Sequence, residues 1–370
     1  MKNKKEKLCF VLPEYALATH FSYVAEFVES LSEHLDIFLI VEKGTLPAAS
    51  RVTRRYRSIL RFVPFRVLET FGALLYARSL GYRTHYVHYS FVAAIGSSVV
   101  TRLFGGRTFY WNCGMPWVYT RPLFQEWYQR LAFRLVHYLV TGAAALIPGY
   151  ARYYAIPETK IQVVPNWIDV VTGPRLPTKE EGNTLRSELD IPADAPVLLF
   201  VHRLAKRKGA DLLPDILAGI SDQHAVLIVV GDGPERESLE TRFRADGLWE
   251  RVRRMGSVPQ REVFCYFSCA DVFLLPSEEE GFPHVLTEAM LCGVPYVASD
   301  VGGVRDMTPC LLHPYIVPYG NIGGYVAALD ELLSRESLRR EAKSVLLEWV
   351  KQYDKPVIME RFLRLIRNEA

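Results

Sequence analysis

The six cysteines, Cys9, Cys113, Cys265, Cys269, Cys292 and Cys310, contain no C-x-x-C pair. That argues against zinc ribbons and dithiol redox motifs and leaves small core residues of a reducing compartment. Cys265 and Cys269, four apart in an apolar helical run, are expected inside the core. No stretch reaches the roughly 18 consecutive apolar residues of a bilayer span; the nearest, 91-FVAAIGSSVVTRLF-104, is stopped at Arg102. The start MKNKKEKLCFVLPEYALA has the basic residues of a secretory signal, but its apolar run meets Pro13 and Glu14 at once. It reads as a solubilised start before a buried strand. No Walker A sequence occurs, no G-x-G-x-x-G follows a first strand, and no Asp-x-Asp stands at a strand end. P-loop chemistry is thereby excluded, a dinucleotide oxidoreductase becomes the weakest reading, and no metal site is expected.

What is present fits a folded chain of two domains. The 370 residues are 49% hydrophobic and 23% charged, too long for one comfortable core and too apolar for long disorder. The net charge of +3 conceals a division. Residues 1–170 hold 20 Lys/Arg against 11 Asp/Glu, and residues 171–370 hold 24 against 30. A basic half precedes an acidic one, which directs attention to phosphates, anionic lipid or nucleic acid.

Short apolar runs alternate with helical periodicity throughout. In the first half the runs are LCFVL at 8–12, IFLIV at 37–41, YVHYS at 86–90, RTFYW at 107–111, AALIPG at 144–149 and IQVVPN at 161–166, with a long helical region at 122–140. The polar stretch 171–190 reads as a linker flowing into a capped helix. After it, PVLLFVH, AVLIVVG, RVRRMG, DVFLLP and VPYVAS recur with helices between them, and the tail 326–368 is mostly helical with a break at Pro356. This pattern predicts an α/β fold of two doubly wound parallel sheets, one domain over 1–170, a linker over 171–190 and a second domain over 191–345, followed by helices to 370.

Ligands of such sheets sit outside the carboxyl ends of the strands, so the strand ends of the second half carry the functional expectation. After 196-PVLLFVH come Arg203, Lys206, Arg207 and Lys208, a cation cluster suited to a diphosphate. After AVLIVV comes 231-GDGP-234, where Gly231 permits a tight turn and Asp232 either caps it or approaches the ligand. After DVFLLP come Ser277, three glutamates and 281-GFP-283. Gly281 permits close backbone approach, Pro283 opens a helix, and the free N–H groups there form an anion site. Glu280 in the loop and Glu288 in the second helical turn can frame one ligand, with Glu288 accepting from a vicinal diol such as ribose. After VPYVAS, Gly302 and Gly303 again permit backbone near ligand. Together these ends describe a pocket for a sugar or nucleoside joined to a diphosphate.

The combination of 280-EGFPHVLTE-288, 292-CGVP-295, 203-RLAKRKG-209, 231-GDGP-234 and 165-PNWID-169 resembles the GT-B glycosyltransferases of the retaining family 4 type. The resemblance implies two Rossmann-like domains facing a central cleft, with the terminal helices at 346–370 packing back on the first. It implies a nucleoside-diphosphate-sugar donor, UDP- or GDP-linked, and no metal or other cofactor. Arg203 and Lys208 would neutralise the diphosphate, Glu288 would bind the ribose hydroxyls, and Glu280 would contact the donor sugar near the reacting carbon. Phe282 would present its backbone N–H, and Pro283 its shape, to the phosphates and sugar. The chain departs from the family where Trp167 and His202 replace glycines, where 13-PEYALATHFS-22 lacks the Gly-Gly loop, and where 110-YWNCG-114 offers Asn112 in place of a histidine. His20, His85 and His88 are the spare histidines of the first half, and Trp111, Trp117 and Trp167 the candidate sugar-stacking rings.

Residues 51–83 hold eight arginines and one acid, Glu69, interleaved with Tyr56, Phe62, Phe65 and Phe71. Such a segment fits either the surface of an anionic membrane and a lipid-linked acceptor or a solvated arginine face over a core helix; the expected location is the cytoplasm, with the inner membrane face as the site of contact under the first alternative. The acidic second half and the absence of a nucleic-acid module argue against DNA or RNA. A hexose transfer to an acceptor hydroxyl is the leading reading; a GT-B epimerase of nucleotide sugars and a non-catalytic nucleotide-sugar-binding protein stay open beside it.

Overall fold

The computed structural model describes residues 5–14, 22–44, 50–52, 54–58, 63–171, 173 and 175–367; His20, Ile59, Leu60 and Phe62 lie outside them. The chain divides into two units, Met1–Val164 with Met359–Ala370, and Pro165–Ile358. Among the described residues no helix is long and apolar enough to cross a membrane.

In unit 1 the strands are β1 (Glu6–Leu12), β2 (Leu35–Val41), β3 (Arg54–Arg57), β4 (Thr84–His88), β5 (Arg107–Trp111), β6 (Tyr138–Thr141) and β7 (Ile161–Val163). They form one parallel sheet in the order β3-β2-β1-β4-β5-β6-β7. The order reverses between β1 and β4, the switch point of a doubly wound sheet. The central strands are buried on both faces, which is why LCFVL and IFLIV read as unbroken apolar runs. The helix Phe91–Phe104 begins where Ser90 Oγ accepts from the Ala93 amide. From the last helix, Lys355–Arg367, Phe362 packs its ring edge-on to Phe27 at 5.6 Å and to Tyr86 at 4.8 Å. Arg107 donates to the Ile366 carbonyl at 3.1 Å.

Unit 2 repeats the architecture with β8 (Val197–Val201), β9 (Val226–Val230), β10 (Val252–Gly256), β11 (Val272–Leu275), β12 (Tyr296–Ser299) and β13 (Ile316–Val317). Their order is β10-β9-β8-β11-β12-β13, again all parallel, with the switch point between β8 and β11. The helix Lys179–Glu188, at the end of the stretch read as a linker, starts in a reciprocal capping box of Thr178 and Glu181.

Four local readings are corrected. Residues 144–149 are helical, as the 3₁₀ turn Ala144–Leu146 and the start of helix Ile147–Tyr154, with Pro148 in a first turn that needs no N–H from it. The strand there is β6, four residues that lay inside the helical periodicity expected over 122–140; the helix itself ends at Leu135. Cys265 is exposed, on the solvent side of the helix Gln260–Cys269 whose other face buries Cys269. Pro356 opens the last helix, and the break precedes it as the 3₁₀ turn Val350–Tyr353.

The fully buried Phe362 anchors a segment far in sequence from the strands it covers. Phe362→Ala is expected to cost about 3–5 kcal/mol, read as a lowered urea midpoint with an unchanged m-value.

Candidate functional site

β8 and β11 are hydrogen-bonded neighbours, with Val272 beside Leu198. Their register brings the cation loop after β8 against the acidic loop after β11. The cation loop is the 3₁₀ turn Lys206–Lys208, ended by Gly209 at φ +69°. A Cβ on Gly209 would stand 2.0 Å from the Pro276 carbonyl oxygen, so only glycine lets the turn lie on the β11 exit. The Glu278 amide then donates to the Arg207 carbonyl at 3.0 Å, and Arg207 Nη1 donates to Glu279 Oε1 at 3.0 Å.

Glu280 is buried and holds the centre. Its Oε1 accepts from Lys208 Nζ at 2.9 Å and from His202 Nε2 at 3.2 Å. The Arg203 amide donates to His202 Nδ1 at 2.8 Å, which puts the ring proton on Nε2, facing Glu280. Burial alone would push the Glu280 carboxyl up; the His202 hydrogen bond and the Lys208 charge outweigh it and hold the group at about 2. Lys208 also donates to the Glu279 carbonyl at 3.2 Å, leaving one of its three protons for another acceptor. Among the described residues nothing donates to the second Glu280 oxygen.

Glu288 stands in the helix His284–Cys292, whose buried residues Met290 and Leu291 face the core. It is buried with one hydrogen bond, from Gln260 Nε2 to Oε1 at 2.9 Å, and no cation pairs with it among the described residues. Burial pushes its carboxyl above the ordinary range, and the Gln260 bond offsets only part of that. The two glutamates therefore share one design: each is fixed through one oxygen.

The helix His284–Cys292 has Pro283 at its N-cap and no side-chain cap, so its first N–H groups have no partner in the side chain that normally provides one. The preceding loop is pinned from two sides. Gly303 donates its amide to the Gly281 carbonyl at 3.1 Å, and Asn166 Nδ2 donates to the Phe282 carbonyl at 3.1 Å. Phe282 itself is core, its ring packed edge-on to that of Tyr353 with centroids 5.2 Å apart. Gly302 takes φ +53° in the turn after β12.

Gly231, at φ +131°, would set a Cβ 1.9 Å from the His202 carbonyl oxygen. Its missing side chain thus serves the packing of two loops. Asp232 caps its own turn, accepting from the Gly233 amide at 2.7 Å, and pairs with Arg236 at 3.5 Å. Arg203 is exposed and pairs with no carboxylate among the described residues. The sequence reading missed three contributors: His202, noted only as a departure from glycine; Asn166, whose place in PNWID was the available signal; and Gln260, for which the sequence carries no signal.

In unit 1 the named candidates are engaged by the protein. Asn112 Oδ1 accepts from Tyr150 at 2.8 Å and its amide donates to Tyr110 at 3.2 Å. His88 is buried and stacks on Trp111 at 4.4 Å. His85 Nε2 donates to the Tyr82 carbonyl at 3.3 Å, and burial pushes it down to about 4, so it is neutral. Trp117 stacks on Tyr153 at 5.6 Å. Of the arginines in 51–83, Arg51 pairs with Glu33, Arg54 with Asp36 and Tyr82, and Arg78 with the Phe104 and Gly105 carbonyls.

The chain is similar to known proteins in sequence and in fold. The family profile described as "Glycosyl transferases group 1" matches residues 182–344. The chain is 30% identical over 230 residues to a 2-deoxystreptamine N-acetyl-D-glucosaminyltransferase of Streptomyces fradiae, covering 61% of this chain and 54% of the relative. It is 34% identical over 175 residues to a D-inositol 3-phosphate glycosyltransferase of Xylanimonas cellulosilytica, covering 46% and 42%. The chain thus spans about half the length of these curated relatives. The fold is similar to that of Anabaena Alr3699/HepE in complex with UDP and glucose, with TM-score 0.80 at 16% identity over 98% of this chain and 100% of that one. It is also similar to sucrose-phosphate synthase from Thermosynechococcus elongatus, with TM-score 0.81 at 20% identity over 98% and 99%. The GT-B fold expected from the motifs is the fold observed.

The depressed Glu280 carboxyl gives its sign directly. Its folded value lies below its ordinary 4.5, so its stabilisation is full above that value and is lost as pH falls toward 2. Lys208→Met strands the buried charge and is expected to cost about 3–5 kcal/mol at pH 7. Urea titrations at pH 7 and pH 3 should show that deficit shrinking with acid; a deficit independent of pH would separate the lysine from the carboxylate.

Proposed function

We propose that this chain, of GT-B fold and with residues 182–344 matching the glycosyl transferases group 1 profile, transfers a hexose-type sugar from a nucleoside-diphosphate sugar to an acceptor hydroxyl, with retention of the anomeric configuration. The observation that carries the proposal is the pair of buried glutamates at the β11 exit, each tethered to the protein by one oxygen, beside a lysine with a proton to spare.

In this reading the donor lies across the carboxyl ends of β8 and β11. Glu288 accepts from the ribose diol, and its second oxygen completes a two-point contact. Glu280 accepts from a hydroxyl of the donor sugar. As the bond from the anomeric carbon to the phosphate oxygen breaks, charge grows on the nucleoside diphosphate. Lys208, Arg203 and the N–H groups at the start of helix His284–Cys292 supply the positive field that stabilises it. These groups provide the charge compensation without a metal ion. Glu280 does not act as a hydrolase nucleophile here, because a two-carboxylate hydrolase needs both acids flanking one bond, and Glu288 is given to ribose. Gly302 and Gly303 keep the β12 turn close to the Gly281 backbone that faces the phosphates.

The HepE complex with UDP and glucose and the relative named for N-acetylglucosamine transfer support a UDP-linked hexose as the first donor to try, with GDP-linked donors next. The acceptor in this proposal is lipid-linked or part of a cell-surface glycan precursor, met at the inner face of a membrane.

Calorimetry with UDP-, GDP-, ADP- and dTDP-linked sugars tests the donor site. One donor is expected to bind, and Glu288→Gln to weaken it by about 10–100-fold, the value of hydrogen bonds to a charged group. Because burial penalises the ionised Glu288, the same substitution is expected to leave stability at pH 7 unchanged or raised. Unweakened binding would remove ribose from Glu288, and folded protein that binds none of the four donors would overturn the reading. Donor interconversion without acceptor would identify an epimerase.

A further inference from the structure

The helix Leu123–Leu135 follows β5 through the loop 112–122. Its N-terminal turns therefore stand at the carboxyl edge of the unit 1 sheet. Helical spacing sorts its residues sharply. Gln129, Ala132 and Phe133 are buried. On the other side, Leu123, Trp127, Arg130 and Arg134 recur at i, i+4, i+7 and i+11, one stripe along the helix. Phe124 and Tyr128 flank that stripe. Leu123 is 89% exposed, Phe124 62%, Trp127 58% and Tyr128 47%. Four large apolar side chains in two turns, all turned to solvent, are far more than scattered surface hydrophobics.

The charge around them has one sign. Residues 121–134 hold Arg121, Arg130 and Arg134 against Glu126 alone. Glu126 is taken by Arg130 at 2.9 Å, and Arg134 is exposed with no partner among the described residues. Unit 1 as a whole is the basic half of the chain. Leucine, phenylalanine, tryptophan and tyrosine on one arc with arginines beside them match the interfacial zone of a bilayer. There the apolar bodies enter the acyl boundary, the aromatic polar tips stay at headgroup level, and the guanidinium groups meet phosphate.

We propose that the Leu123–Tyr128 face of unit 1 docks on an anionic lipid bilayer. The inference deepens the functional proposal above and rests on it only for its purpose: an acceptor hydroxyl carried at headgroup level would be met at the carboxyl edge of unit 1, where this helix begins. It also moves the contact. The sequence pointed to 51–83; arginines of both segments bond acids or carbonyls within unit 1, and what sets the 123–128 face apart is its four exposed apolar side chains in under two turns.

Flotation of the full-length protein with phosphatidylcholine vesicles, with and without phosphatidylglycerol and without nucleotide sugar, tests the docking. Wild type is expected to float with the anionic vesicles and to be released by about 0.5 M salt. The variant Leu123→Ser/Trp127→Ser should bind at least about tenfold more weakly, and Arg134→Gln should lower the salt sensitivity. Both should keep the wild-type circular dichroism spectrum and donor affinity, since these side chains are exposed. Absence of vesicle binding by wild type would overturn the proposal, as would equal binding by the double variant. Loss of binding only in Phe65→Ser/Leu68→Ser would also overturn it, by returning the contact to 51–83. A double variant that changes only self-association would make a second copy the occupant and overturn it too. Donor calorimetry is independent of these outcomes, so the two readings fail separately.

Discussion

A carboxylate buried beside the switch point of a parallel sheet has to be neutralised, and the arrangement of unit 2 follows from how Glu280 is. Its cation comes from the neighbouring strand's exit, 72 residues away in sequence. That choice fixes the β8 loop on the β11 loop. It requires glycine at 209, where the two backbones touch, and it orients His202 through the Arg203 amide. A buried ion pair is a weak source of net stability compared with apolar packing of the same volume. Its retention here is better understood through what it holds in place: a lysine with one proton unspent and a carboxylate with one oxygen unspent, both on rigid backbone.

Glu280 and Glu288 solve the burial problem in opposite ways. Glu280 is ionised cheaply because its partners are charged or polarised. Glu288 has an amide partner only, and burial works against its charge. An isolated folding domain would gain by losing such a group. A carboxylate kept at a stability disadvantage, and held by one oxygen, is already desolvated. In the proposed reading, the hydrogen bonds that a ribose donates meet a preorganised acceptor, so less of their energy goes into reordering the protein.

How far the chain could be read varied with physical cause. The strand exits of unit 2 were legible because β8, β9, β11 and β12 are continuous apolar runs ending in polar, glycine-rich turns. The E-x₇-E spacing is local, so one loop and one helix fix it. His202 and Gln260 were not legible as site residues because their roles depend on contacts 78 and 28 residues away. β3 escaped because an edge strand of sequence RRYR has no apolar alternation to betray it. β6 was hidden because four residues cannot express a period of two against the helical pattern that precedes them. Cys265 was misplaced because apolar composition around a helix does not say which face meets solvent.

The same doubly wound sheet is used twice, but its two carboxyl edges are built from different physics. In unit 2 the edge is ionic: a lysine, an arginine and carboxylates, with charge fixed by burial and pairing. In unit 1 the groups at the corresponding edge are engaged by their neighbours through hydrogen bonds and ring stacking. Asn112 is held at both ends by tyrosines, and His88 is stacked on Trp111. Half-buried Glu42 there accepts from Ser90 Oγ at 2.8 Å, and desolvation pushes its carboxyl up despite that bond and the nearby Arg66 and Lys43. The positive charge of unit 1 is carried largely by exposed side chains such as Arg134. A field produced by exposed charges is screened within about 8–10 Å at physiological salt, whereas the paired charges of unit 2 act at contact distance. In the proposed reading, the division of charge visible in the sequence corresponds to two ranges of electrostatic action, one toward a surface and one toward a bound donor.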